Sequence, residues 1–134
     1  MLETLKSEHS VHKIGLHLVW CTKYRHSILV DGVDIMVKRT IGEACGHYGW
    51  KIRSIEVMPD HVHLFLQIDP TNRPCDIAQT LKSLTALAVF TAFPKLKGDK
   101  FWGSGLWSRD TYYGSVGDAS VETIATYINN QKKR

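Results

Sequence analysis

From Val11 the chain alternates apolar and polar positions with a period of two. Ile14, Leu16, Leu18 and Trp20 fall on one face of an extended segment, and His17, Val19 and Cys21 on the other. This pattern predicts a first strand whose first face lies in a core. The preceding residues are polar, so residues 1–10 are expected as a flexible arm and residues 11–134 as a single domain. After a basic, aromatic loop, Lys23-Tyr24-Arg25-His26, the period changes. Val33, Val37, Ile41, Ala44 and Tyr48 recur at helical spacing beside Met36 and Cys45, and Gly49 stands where a helix C-terminal cap is expected.

Trp50–Met58 is rich in β-branched residues and predicts a second strand. Pro59-Asp60 reads as a turn and His61–Ile68 as a third strand, the two strands forming a hairpin. Ile77, Leu81, Leu84 and Ala88 mark a second helix ending near Pro94. A basic connection holding Lys95, Lys97, Lys100, Gly103 and Gly105 leads to a fourth strand at Leu106–Tyr113. Gly114–Gly117 breaks that strand, and Asp118 or Ser120 can cap a last helix running through Lys132. The order βαββαβ with a C-terminal helix predicts an α+β fold of the ferredoxin-like (RRM-like) split βαβ type, an antiparallel sheet with helices on one face. A fold so widely reused does not name a function.

Composition narrows the class. At 134 residues, with 43% hydrophobic and 22% charged residues, the chain suits one globular domain and excludes a disordered or fibrous protein. Its longest uncharged stretch, Ser83–Pro94, has 12 residues, short of the roughly 20 a bilayer span needs. Glu3, Lys6 and Glu8 stand where a signal peptide would place an apolar run. Three widely spaced cysteines (Cys21, Cys45, Cys75) without a CxxC pair argue against a disulfide framework or zinc knuckle and suit a reducing cytoplasm. The 17 basic and 13 acidic residues leave a net charge of +4, compatible with a nucleic-acid partner.

The segment Met58-Pro59-Asp60-His61-Val62-His63-Leu64-Phe65 carries the most chemistry. Residues two apart on a strand share a face, so His61 and His63 point together while Val62, Leu64, Leu66 and Ile68 point into the core. Two neutral imidazoles on a rigid strand can chelate one metal ion, although such a pair also occurs as plain polar residues on a solvated face. On the last helix Tyr127 and Gln131 are neighbours at i and i+4. They are expected to flank a buried stripe of Val121, Ile124, Ala125 and Ile128, with Tyr127 either a boundary aromatic or an accessible phenol beside an amide oxygen. Asp60 adjoins the first histidine and is either a turn residue or a group that orients an imidazole or bound water. His17 and His26 have no motif position.

Taken together, His61-Val62-His63 and Tyr127-Ile128-Asn129-Asn130-Gln131 resemble the histidine–hydrophobe–histidine and tyrosine-xxx-glutamine motifs of the single-tyrosine HUH transposases, insertion sequence 200/605 family. The resemblance runs from about His17 to the C-terminus. It includes Leu18-Val19-Trp20-Cys21-Thr22-Lys23-Tyr24-Arg25, the Met58–Leu66 block, Leu106-Trp107-Ser108 and Ser115-Val116-Gly117. It implies cleavage and rejoining of single-stranded DNA at the ends of a mobile element, with Tyr127 as nucleophile forming a 5′-phosphotyrosine link. It further implies that His61, His63 and Gln131 hold Mg²⁺ or Mn²⁺, that DNA hairpins are recognised, and that a homodimer places each tyrosine helix in the partner's site. With only three residues after Gln131, cis or trans placement of that helix stays open. Two imidazoles and an amide are a softer donor set than the carboxylates usual around Mg²⁺, which predicts a preference for Mn²⁺. No GxxxxGK[ST] segment is present, consistent with a phosphotyrosine that conserves the bond energy.

Basic residues interleaved with aromatics suit a single-strand or hairpin groove. The candidates are Lys23, Tyr24, Arg25, Arg53, Lys95, Lys97, Lys100, Trp102, Arg109 and the tail Lys132-Lys133-Arg134. Three alternatives compete. A domesticated relative that processes repeated extragenic hairpins would use the same residues. A rolling-circle initiator or relaxase shares the histidine pair and tyrosine but is usually larger. A non-catalytic nucleic-acid-binding module of this topology would need an RNP1-type strand, which no segment matches.

Overall fold

The computed structural model describes residues 2–98, 105–115 and 121–131. Alternation becomes a sheet where predicted. Strand β3 (Ile14–Cys21) lies between β5 (His61–Ile68) and β6 (Tyr112–Ser115), and β4 (Lys51–Met58) pairs with the far side of β5. All three pairings are antiparallel, in the order β4-β5-β3-β6. Two helices, α1 (Val33–Tyr48) and α2 (Pro74–Ala92), connect the strands and pack on each other, which is the ferredoxin-like split βαβ arrangement. A short turn of helix, α3 (Pro94–Leu96), follows α2, and α4 (Val121–Asn130) packs on β3.

The core forms between one sheet face and the two connecting helices. Leu16, Leu18 and Trp20 face Leu66, Leu64 and Val62 across the β3–β5 ladder. Val37, Ile41, Ile77 and Leu81 cover them from α1 and α2. Helix α1 ends at Gly49, whose φ of 78° is the left-handed conformation a C-terminal cap demands.

The fourth strand differs from expectation, and the N-terminal segment carries strands of its own. Within the polar N-terminal segment, β1 (Leu5–Ser7) pairs with β2 (Ser10–His12) as a small hairpin. Ahead of it Glu3 bridges Lys51 and Arg53 at 3.1 Å each and exchanges hydrogen bonds with Gln67, so the segment is tied to the sheet. The fourth strand is not Leu106–Tyr113 but Tyr112–Ser115, preceded by an isolated bridge between Thr22 and Trp107. Leu106 and Trp107 are buried all the same, from a loop. That loop is gathered by Lys82, whose ammonium donates to the Ser108 carbonyl at 2.8 Å, the Thr111 hydroxyl at 3.1 Å, and the Arg109 and Asp110 carbonyls at 3.4 Å. The Trp107 indole N–H is shared between the Thr85 hydroxyl at 2.9 Å and the Lys82 carbonyl at 3.1 Å. The segment's buried apolar residues thus sit in a loop whose carbonyls are satisfied by a lysine instead of a ladder.

Candidate active site

The same alternation that fills the core lines the other face. His61, His63, Phe65 and Gln67 of β5 stand opposite Cys21, Val19, His17 and Gly15 of β3, and opposite Met58, Glu56, Ser54 and Lys51 of β4. From β6, Tyr112 pairs with Val19 and Gly114 with His17. A Cβ on Gly114 would lie 2.9 Å from the Tyr112 hydroxyl, so only glycine lets the Tyr112 ring lie across this face undisturbed. Over it sits α4, with the Tyr127 ring 5.8 Å from that of Tyr112.

The two motif histidines share this face, and each is held by partners. His61 Nδ1 lies 2.9 Å from Asp60 Oδ1, and the other carboxylate oxygen takes Arg25 Nε at 2.9 Å and Nη2 at 2.8 Å. Burial alone would raise the Asp60 carboxyl, but the hydrogen bonds from His61 and Arg25 and the Arg25 charge outweigh it and hold the carboxyl below its ordinary value. Asp60, paired with Arg25, can only accept, so His61 turns Nδ1 to it as the donor and Nε2 is the ring nitrogen not engaged by Asp60. His63 Nε2 lies 3.3 Å from His17 Nδ1, while its Nδ1 is 3.5 Å from Glu56. Burial lowers the pKa of His63, opposed by Glu56; burial, then the nearby His63, lowers that of His17. In that contact one ring nitrogen donates and the other accepts.

His17 is the site residue that sequence reasoning missed. It stacks on Phe65 at 4.2 Å and reaches His63, although 46 residues separate the two histidines. Its parity with Val19 and Cys21 was visible, but only the β3–β5 register says which histidine it meets. Helix α4 also departs from its predicted stripe. Ala125 is exposed, whereas Ile124, Tyr127 and Ile128 are half-buried and Gln131 is buried, its Oε1 accepting from the Ser108 hydroxyl at 3.1 Å. The inward face is 124-127-128-131, so Tyr127 and Gln131 lie within it rather than beside it. Ser108 in turn donates its N–H to the Cys21 carbonyl, and Cys21 pairs with His61. Gln131 is therefore tethered at the His61 end of the face. Among the described residues no group of three or more His, Cys, Asp or Glu converges as a metal cluster; the candidate donors are two imidazoles and an amide.

The basic candidates divide. Tyr24, Lys95, Lys97 and Arg109 are exposed, and Lys23 is half-buried with its ammonium 5.9 Å from the Tyr24 ring. Arg53, on a β-bulge, is held by Gln67 Oε1 at 2.8 Å and by Glu3, and Arg25 by Asp60. Trp102, Lys100 and Lys132 to Arg134, like the capping candidates Asp118 and Ser120, lie outside the described residues. No helix among the described residues is long and apolar enough to cross a membrane.

The class is that of a ferredoxin-like sheet with two connecting helices on one face, an imidazole pair on the other, and a tyrosine-bearing helix packed on β3. The chain belongs to the IS200-like transposases: the family model described as "Transposase IS200 like" matches residues 10–131. It is 36% identical over 130 residues to the ISDra2 transposase TnpA of Deinococcus radiodurans, spanning 97% of this chain and 92% of that protein. It is 27% identical over 115 residues to the transposase for insertion sequence element IS200 of Salmonella typhimurium, spanning 86% and 74% respectively. The crystal structure of a candidate transposase from Deinococcus radiodurans matches with a TM-score of 0.89 at 36% identity, over 97% of this chain and 99% of that one. A REP-associated tyrosine transposase bound to a REP hairpin shares the fold, with a TM-score of 0.57 at 13% identity over 92% of this chain and 69% of the other.

Proposed function

We propose that this transposase cleaves and rejoins single-stranded DNA at the ends of its insertion sequence through a 5′-phosphotyrosine intermediate formed by Tyr127. The observation that carries the reading is that α4 lays Tyr127 and Gln131 on the sheet face that bears His61 and His63. The donor chemistry fits a divalent ion, since Asp60 engages His61 through Nδ1 rather than Nε2 and His63 and Gln131 add an imidazole and an amide oxygen on the same face. Mn²⁺ or Mg²⁺ held by His61, His63 and Gln131 would polarise a non-bridging phosphate oxygen, with Mn²⁺ preferred by this donor set. Equal or reversed affinities for the two ions in a calorimetric titration would count against that preference.

A phenol with an ordinary pKa near 10 is a poor nucleophile at neutral pH, so alignment and proton removal decide the rate. Tyr127 Oη attacks the phosphorus, the phenol proton leaves, the P–O3′ bond breaks, and the departing 3′-oxygen takes up a proton. Attack by a DNA 3′-hydroxyl reverses the step, releases the tyrosine and needs no nucleotide cofactor. Tyr24, Lys23, Lys95, Lys97 and Arg109 supply the stacking and phosphate contacts for a hairpin or single strand. A homodimer completes the proposal; the contacts above set α4 on the histidine face of its own chain, and exchange of that helix between partners would build the same site in trans. A relative of the same fold is bound to a REP hairpin, which supports hairpin DNA as the ligand.

The test mixes the protein, Mn²⁺ or Mg²⁺ and oligonucleotides from the element flanks on a denaturing gel. A covalent protein–DNA band is expected with single strands, absent with duplex DNA and with Tyr127→Phe, while hairpin binding by that variant survives. Wild-type cleavage by Tyr127→Phe would remove the proposed nucleophile.

A further inference from the structure

We propose that Arg25 is a positioning residue of the histidine site, acting through Asp60 to set the tautomer and direction of His61. The inference rests on the metal-assisted reading above and adds a member to that site. Sequence alone offers Arg25 as a DNA-facing cation, one of a basic run with Lys23. The structure points it inward: both Nε and Nη2 lie within 2.9 Å of Asp60 Oδ2, and the side chain is 20% exposed. Its fork takes one carboxylate oxygen and leaves Oδ1 to His61, so the carboxylate cannot rotate away from the imidazole without losing a charged pair.

The backbone is bent to make this reach. Tyr24 and Arg25 have φ of 57° and 54°, the left-handed region that non-glycine residues rarely occupy. Such a conformation persists only where its surroundings over-determine it. Here Arg25 N–H donates to the Thr22 carbonyl at 2.9 Å, the Thr22 hydroxyl donates to the His26 carbonyl at 2.7 Å, and Thr22 N–H donates to the Asp60 carbonyl at 3.0 Å. The turn at residues 22–26 and the turn at Pro59-Asp60 are therefore one stitched unit, closed a second time by Leu29 N–H on the Pro59 carbonyl at 2.9 Å. Two distant motifs, Lys23-Tyr24-Arg25 and Asp60-His61, act as a single device. With Oδ2 taken by Arg25, Asp60 turns Oδ1 to His61 Nδ1, so Nδ1 is the engaged ring nitrogen and Nε2 the one left for a ligand.

The test uses the full chain as wild type, Arg25→Gln, Arg25→Lys and Asp60→Asn. Mn²⁺ titrated calorimetrically without DNA is expected to bind about 10–100-fold more weakly to Arg25→Gln and Asp60→Asn, with Arg25→Lys between them and wild type. A protein carrying both Arg25→Gln and Asp60→Asn should be no weaker than either single variant, because both cut one chain of contacts. In ¹⁵N-histidine spectra of the metal-free protein, His61 should carry its proton on Nδ1 in wild type and mix tautomers in the variants. Hairpin affinity in EDTA should change less than about twofold. An Arg25→Gln protein with wild-type Mn²⁺ affinity and His61 tautomer, but tenfold weaker hairpin binding, would make Arg25 a DNA contact and overturn the proposal. A wild-type protein that binds no Mn²⁺ instead removes the metal reading, and the tautomer spectra then decide the Arg25 role alone. If Arg25→Gln does not fold, Asp60→Asn breaks the same link from its other side and decides by the same two readouts.

Discussion

The two faces of one sheet are built by different rules. On the helix side, Leu16, Leu18, Trp20, Val62, Leu64 and Leu66 are buried in a continuous apolar cluster. No single partner matters there, because burial is non-directional and summed over many contacts. On the α4 side the same strands present groups held in named pairs: His61 with Asp60 and Arg25, His63 with His17, and Gln67 with Arg53 and Glu3. The first face resists disruption by redundancy. The second depends on particular atoms, and so can do chemistry.

That contrast can be broken on purpose. Leu64→Ala leaves every polar group of the site in place yet should cost about 2–5 kcal/mol by denaturant unfolding. A loss under about 1 kcal/mol would mean the helix-side core is looser than its packing implies. His17→Phe keeps the stack on Phe65 and removes the nitrogen facing His63; a cost of about 1 kcal/mol is expected. Mn²⁺ affinity should hold or rise, because His63 Nε2 is no longer engaged by His17; a tenfold loss would make His17 a ligand itself.

Acid should act on the site face alone. His17 and His63 are held below the ordinary imidazole value of 6.5, so the unfolded chain binds more protons below that pH and stability falls as pH drops through it. Asp60, held below its ordinary 3.8, contributes stability above that value and loses it as pH falls through its lowered one. Thermal melts should thus decline in two stages below pH 7, and His17→Phe should flatten the first. The smallest effect is expected from Gly114→Ala. It should shift the unfolding midpoint by less than about 0.5 kcal/mol, since the atoms met are the far end of the Tyr112 ring. The Tyr112–Tyr127 ring contact, followed by nuclear Overhauser effects, should weaken.

Period and punctuation carried most of the fold. Strand β5 and helix α1 run over the predicted residues, and the apolar alternation of β3 told which side would be core. The histidine pair was legible for the same reason, since residues two apart on a strand cannot help sharing a face. Helix α4 was less so. Its 124-127-128-131 face depends on Ser108, 23 residues before Gln131, which turns a glutamine inward against its ordinary preference for water.

What this sequence determined by itself was local: which segments are strands or helices, which side of each is apolar, and that His61 and His63 share a face. Which groups meet across the chain was decided only by tertiary structure. Arg25 turned from solvent to Asp60, His17 joined His63, and Lys82 replaced a ladder with a loop. Periodicity reports the face a side chain takes, because pleat and helical pitch are properties of the local backbone. A directional pair needs two positions fixed to within about a hydrogen-bond length, and strand register and turn stitching supply that precision.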